Sequence, residues 1–240
     1  MPPRAVFFDL VGTLVRPRAS IGYQYAVVAR RHGVEADPAR LEAAFAREMA
    51  DAPALEAWDA AAADAAERSW WQAFVARVFR STSAEGLDDP CRFEAFFDDL
   101  YRHFTTADAW ELYPDVLPAL DKARLAGLVV GLITNYDTRV YALLESLALA
   151  DRLDSVTIPA TAAAQKPARR IFDQALAAHG LAAADAAYVG DSLEDDYKGA
   201  RAAGMEAVLL DRNGQHRALP GLVHAASLTE ALSLLLERDA

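Results

Sequence analysis

The sequence predicts an α/β fold: a Rossmann-like parallel sheet core with helices on both faces and an inserted all-α helical domain. Three observations predict it. Continuous apolar runs at Val6–Phe8 and Leu128–Ile133 lack the polar alternation of a half-exposed strand and so read as buried strands, and Ser155–Ile158, Ala187–Gly190 and Glu206–Leu210 read as three further strands. Helical periodicity separates the later runs, which is the alternation of a parallel sheet wound by right-handed crossovers. Between the first and second runs, from about Ser20 to Phe104, only Ala-, Glu- and Arg-rich helical segments occur. That block reads as a domain threaded into another: core at 1–16 and 110–240, insert at 17–109, with linkers near Arg16-Pro17 and Ala107–Leu112.

Taken in order, Tyr23–Ala29 continues through Arg30 and Arg31 as a helix stopped by Gly33. Asp37-Pro38 is an N-cap followed by proline at the first helical position, opening a helix to about Ala50. Leu55–Phe79 is a long helical stretch in which Trp58, Trp70, Trp71, Phe74 and Phe79 supply bulk. A loop from Ser81 to Gly86 precedes a helix from about Asp89 to Phe104, with Phe93, Phe96, Phe97 and Leu100 at helical spacing, so the aromatics read as the core of a small bundle. In the second half, helices are expected at Pro114–Ala126, Thr138–Leu147, Arg169–His179, from Asp191 to about Ala203, and in the amphipathic tail to about Glu237. Gly204 is the C-cap of the helix ending at Ala203.

Composition limits the function. The formal charge of -11 and pI near 4.9, with no basic stripe visible along the sequence, argue against nucleic acid as a partner. The longest uncharged stretch, about Ala126 to Tyr136, is too short to span a membrane, and no signal peptide is read at the N-terminus. A single cysteine, Cys91, provides no disulfide framework. A cytoplasmic protein, monomer or homodimer, is the expectation.

The strand ends carry the chemistry. Val6-Phe7-Phe8 runs into Asp9, then Gly12 and Thr13. The other strands end at Thr134-Asn135, lead to Lys166, and end at Asp191 with Asp195 and Asp196 close behind. In an open α/β sheet these residues converge at the carboxyl edge, where ligands bind. Facing carboxylates repel unless a cation joins them, and Mg²⁺ is served by one or two carboxylates plus water and phosphate oxygens. A lysine and a hydroxyl supply the charge and the donor that a transferring phosphoryl group needs. Asp9 is then the nucleophile, forming an aspartyl-phosphate.

This pattern resembles the haloacid dehalogenase superfamily. Asp9-Leu-Val-Gly-Thr13 is similar to its first motif, Thr134-Asn135 to its second, Lys166-Pro167 to its third and Gly190-Asp191-Ser-Leu-Glu-Asp-Asp196 to its fourth. The insert resembles the helical cap of the family's first type. Ser69-Trp70-Trp71 and Ala109-Trp110-Glu111 are similar to the subgroup of haloacid dehalogenase-like hydrolase domain-containing protein 3. The resemblance implies Mg²⁺ held by Asp9, Asp191 and the backbone carbonyl of Val11, with Asp195 or Asp196 behind them. It implies a small phosphorylated metabolite as partner, its phosphate held by Thr134, Asn135 and Lys166. Asp9, Thr134 and Lys166 are the candidate catalytic residues of a hydrolase acting on phosphoric monoesters.

One position departs from that pattern. Phosphatases of this family carry a second Asp two residues after the nucleophile, which protonates the leaving group and then activates water; here the position is Val11. Loss of a general acid–base costs about 10²- to 10⁴-fold, or roughly 3–5 kcal/mol of barrier. Three readings follow: a slow Mg²⁺-dependent phosphatase, a non-catalytic phosphate-binding or regulatory protein, and a 2-haloacid dehalogenase, against which the intact Gly190-Asp191 pair argues. Arg16 and Arg18 stand after the first motif as candidates for a substrate's anionic group or as solvated linker residues. Lys198 is placed to balance the acidic cluster. None of the histidines at 32, 103, 179, 216 and 224 falls in a metal-ligand spacing.

Overall fold

A computed structural model describes residues 2–53, 62–82, 84–216 and 221–237. They form two compact units: Met1–Arg16, Leu112–Asp137 and Ala148–Ala240 in one, Pro17–Glu111 and Thr138–Leu147 in the other. Along the chain the strands are β1 (Ala5–Phe8), β2 (Val15–Pro17), β3 (Trp110–Leu112), β4 (Val129–Ile133), β5 (Ser155–Thr157), β6 (Ala186–Gly190), β7 (Glu206–Leu210) and β8 (His224–Ala225).

The first unit is built on a six-stranded sheet of order β5-β4-β1-β6-β7-β8 in which every pairing is parallel. All four residues of β1 are buried, which explains why its run is apolar without alternation. Phe7, Tyr188 and Leu209 pack on one face against Ile171, Phe172, Ala175 and Leu176 of the helix Arg169–Ala177. The helices Val116–Leu125 and Leu228–Leu236 bury Val116, Ala119, Leu120, Ala123, Leu228, Ala231, Leu232 and Leu235. The chain winds from β1 through β4 to β5, then returns to the other side of β1 for β6, β7 and β8. The order therefore reverses between β1 and β6, the position at which such sheets open a crevice.

The second unit is helical. Asp37 and Asp89 cap the helices Pro38–Ala50 and Pro90–His103, their Oδ1 atoms accepting from the N–H groups of Ala39 (2.8 Å) and Cys91 (2.9 Å), each with proline at the first position. With the helices Ile21–Arg31 and Ala63–Arg80 they enclose an aromatic core. Edge contacts run from Tyr25 to Phe45 (5.8 Å between ring centroids), Phe45 to Phe74 (5.2 Å) and Phe79 to Phe96 (4.9 Å). The long helix begins at Ala63; the stretch expected to precede it, with Trp58, lies outside the described residues. Buried Gln24 joins the two ends of the insert: its Nε2 donates to the carbonyls of Ala19 (2.9 Å) and Ala109 (3.2 Å), and its Oε1 meets His103 Nε2 at 2.7 Å.

Two features differ from the sequence reading. The segments read as linkers contain β2 and β3, which pair in a two-stranded sheet; three residues each are too few to register as periodicity. The helix Val140–Ser146, read as part of the core, belongs to the helical unit. Its entry is held by Glu67, buried in the helix Ala63–Arg80, whose Oε2 accepts from the Thr138 N–H at 2.9 Å and its hydroxyl at 2.5 Å. The next residue, Arg139, lies over the rings of Trp71 (4.9 Å) and Tyr101 (4.1 Å). Among the described residues no helix is long and apolar enough to cross a membrane.

Candidate active site

Strand register brings the motif residues to one edge. Phe8 pairs with Leu132 of β4 and Val189 of β6, so Thr134 and Asp191 stand one step beyond Asp9 on its two neighbours. The Asp9 N–H extends the ladder to Val189 O at 3.0 Å. After Asp9 the chain turns sharply, with the N–H groups of Leu14 and Val15 both donating to Leu10 O (2.8 and 2.9 Å). Gly12 sits in this turn at φ +90, and a Cβ there would come within 2.2 Å of Asp191 Oδ2. Only glycine permits both the conformation and the approach. Thr13 then donates to Asp191 Oδ1 at 3.3 Å.

The fourth motif forms a π-helical turn, Leu193–Lys198, in which Ser192 O accepts from the N–H groups of both Asp196 and Tyr197 at 3.1 Å. Such widened turns recur at functional sites. Ser192 caps this turn, accepting from Asp195 N–H at 3.1 Å, while its own N–H donates to Asp196 Oδ2 at 2.9 Å. Asp196 is thereby folded into the interior at 1% exposure, beneath Gly190, where a Cβ would lie 2.4 Å from its carboxyl carbon. Of the two alternatives left open by sequence, Asp196 joins Asp9 and Asp191: one carboxylate oxygen of each lies within 4.8 Å of the others.

Lys166 is the buried cation of the group. Its Nζ donates to Asp9 Oδ1 at 2.7 Å, Asp196 Oδ1 at 2.5 Å and Tyr188 Oη at 3.0 Å. Asn135 grips its backbone from both sides, accepting from Lys166 N–H at 2.7 Å and donating to Lys166 O at 3.1 Å. The amide expected at a substrate phosphate is thus engaged in holding the lysine loop. Thr134 is buried, its N–H bonded to Thr157 O (3.1 Å) and its Oγ1 accepting from Tyr136 N–H (3.2 Å), which leaves the hydroxyl hydrogen to donate.

Burial pushes the Asp9 carboxyl from 3.8 up to about 7; Lys166 pulls it down, and Asp196 and Asp191 add to the rise. Burial and then Asp196 raise both Asp191 and Asp195. Burial opposes the charge on Lys166, but Asp9 and Asp196 outweigh it and push its pKa up. Three clustered carboxylates face one ammonium, an excess of negative charge that a divalent cation would neutralise, and the donors are all hard oxygens. Asp9, Asp191 and Asp196 therefore fit Mg²⁺.

Other candidates are placed elsewhere. Val11 offers a 37% exposed hydrocarbon where an acid–base group would stand. Arg18 is spent on the insert's chain ends, its Nε donating to Ala107 O at 2.6 Å. Lys198 pairs with Glu194 at the surface rather than with the buried carboxylates. A cavity of about 110 Å³ adjoins Gly12 and Asp191, lined also by Tyr113, Arg212 and His216. Arg212 braces the turn after Asp9, donating to Thr13 O (2.9 Å), forking onto Asp115 (3.0 and 3.1 Å) and lying 3.8 Å over the Tyr113 ring. Sequence reasoning missed Arg212 and Tyr188. The latter's signal was available: a phenol inside a fully buried run needs a polar partner.

The chain is similar to known proteins in sequence and in fold. A family model described as haloacid dehalogenase-like hydrolase matches residues 3–204. The chain is 31% identical over 210 residues to haloacid dehalogenase-like hydrolase domain-containing protein 3 of Xenopus laevis, covering 88% of this chain and 85% of that protein. It is 34% identical over 228 residues to phosphoserine phosphatase of Thermus thermophilus, covering 87% and 89% respectively. The fold matches the crystal structure of a HAD phosphatase from Thermococcus onnurineus at a TM-score of 0.69, with 23% identity and 97% of each chain covered.

Proposed function

The chain belongs to the haloacid dehalogenase-like hydrolase family, and from that premise we propose that it is a Mg²⁺-dependent phosphatase of small phosphorylated metabolites. The observation that carries this reading is the buried Asp9 carboxylate, 2.7 Å from Lys166 Nζ and clustered with Asp191 and Asp196. Asp9 attacks phosphorus, its oxygen forming the new O–P bond as the ester oxygen departs. Water then cleaves the aspartyl-phosphate and restores the carboxylate. The Thr134 hydroxyl donates to the equatorial oxygens on which charge accumulates, and the Lys166 ammonium, bonded to Asp9, supplies positive charge beside them. Asn135 positions Lys166 through its backbone. Mg²⁺ would be held by Asp9, Asp191 and the Val11 carbonyl, with Asp196 behind them, and would supply charge neutralisation for the phosphoryl group. Val11 gives no proton to the leaving group, so acidic leaving groups react best and alcohols slowly.

The test is turnover of para-nitrophenyl phosphate with Mg²⁺, read beside intact-protein mass, for the wild type, Asp9→Asn and Val11→Asp. Mg²⁺-dependent product absent in Asp9→Asn supports the reading, and Val11→Asp is expected to be faster by about 10- to 10³-fold. The exposed Val11 favours a second reading, a phosphate-binding module descended from an enzyme. Neither product nor phosphate adduct in the wild type, with activity gained in Val11→Asp, would establish that reading instead.

A further inference from the structure

Tyr188 lies in the middle of β6, wholly buried, with its hydroxyl inside the cluster rather than at its rim. The ring packs edge-on to Phe172 at 5.5 Å between centroids, a contact phenylalanine would make as well. The hydroxyl does something else. It accepts from Lys166 Nζ at 3.0 Å, and its single hydrogen faces two acceptors, Ile133 O at 2.7 Å and Asp196 Oδ1 at 3.0 Å. Ile133 is the residue before Thr134, so one oxygen touches the neighbourhoods of the second, third and fourth motifs. An ammonium has three N–H donors in tetrahedral array. Two are taken by Asp196 and Tyr188, and fixing two fixes the third, which points at Asp9 Oδ1.

We infer that Tyr188 is a positioning residue for the phosphoryl transfer, acting through Lys166 to aim its ammonium at the nucleophile and its phosphoryl group; the inference rests on the phosphatase reading above. Without the phenol oxygen the ammonium is held only by Asp196 and by Asp9, the group whose oxygen must leave for phosphorus, so its aim is no longer fixed independently of the nucleophile; small displacements of a charged group cost rate rather than binding.

The experiment compares Tyr188→Phe with the wild type on para-nitrophenyl phosphate at saturating Mg²⁺, with active-site concentration taken as folded protein measured by circular dichroism. A fall in kcat per active site of about tenfold is expected, with KM and the half-saturating Mg²⁺ concentration within about twofold. A second variant, Tyr188→4-aminophenylalanine, keeps a donor for Ile133 O and Asp196 but offers Lys166 a poorer acceptor; it should lose kcat alike, and it serves where Tyr188→Phe fails to fold. Wild-type kcat in the variants overturns the inference alone. So do losses of kcat, KM and Mg²⁺ response in step, the mark of a loosened sheet. A wild type with no Mg²⁺-dependent turnover overturns the phosphatase reading and this inference with it.

Discussion

At the scale of the residue, the chemistry is set by how few charges neutralise many. Burial holds the pKa of the Asp9 carboxyl at about 7 in the fold, against 3.8 for the exposed group. A raised carboxyl of this kind contributes stability that is present at low pH and lost as pH climbs across that window. Mg²⁺ must displace the same proton, so its affinity moves the opposite way. Calorimetric titration is expected to give about tenfold tighter Mg²⁺ binding near pH 8 than near pH 6, with proton release on binding. A pH-independent affinity would mean that Asp9 is already ionised in the fold. Asp9, Thr134, Lys166 and Asp191 were legible in the sequence because each follows or terminates an apolar run. Asp196 was not separable from Asp195, since the widened turn that buries one of them is a tertiary outcome of Ser192 and Gly190.

At the scale of the element, local signals recovered what local forces decide. Asp37-Pro38 and Asp89 mark helix starts because the cap bonds lie within three residues. β2 and β3 were not legible, because three residues acquire strand character only from the partner across the pair. The helix Val140–Ser146 was legible as a helix but assigned to the wrong unit, for the same reason: its anchor is Glu67, seventy-one residues away. Glu67 is buried, and removing it strands the Thr138 N–H and leaves the hydroxyl only Asp64 Oδ1 at 3.3 Å. Glu67→Ala is expected to lower unfolding free energy by about 1–3 kcal/mol in urea denaturation, while Glu67→Gln retains an acceptor and recovers part of the loss.

At the scale of the whole molecule, the sheet order makes β1 the centre, with the two carboxylate-bearing strands adjacent at the reversal point. That placement was inferable from the alternation of strands and helices, and the excess of acid at the edge of an acidic protein is what a bound cation relieves. Mg²⁺ at about 100 times its dissociation constant should therefore raise unfolding free energy by about 2.7 kcal/mol. Thermal unfolding with and without Mg²⁺ measures this, and Asp191→Asn should abolish most of the increment.

The attachment of residues 138–147 to the helical unit bears on how such proteins diversify. An insert carried between relatives as one continuous stretch, 17–111, would arrive without the segment it grips. Thr138 and Arg139 would meet a foreign surface in place of Glu67, Trp71 and Tyr101. Recombination that preserves the fold must transfer two separated pieces of chain together, and the second begins three residues after Asn135, itself part of the site. In this chain, then, the insert and residues 138–147 are exchangeable only when they travel together.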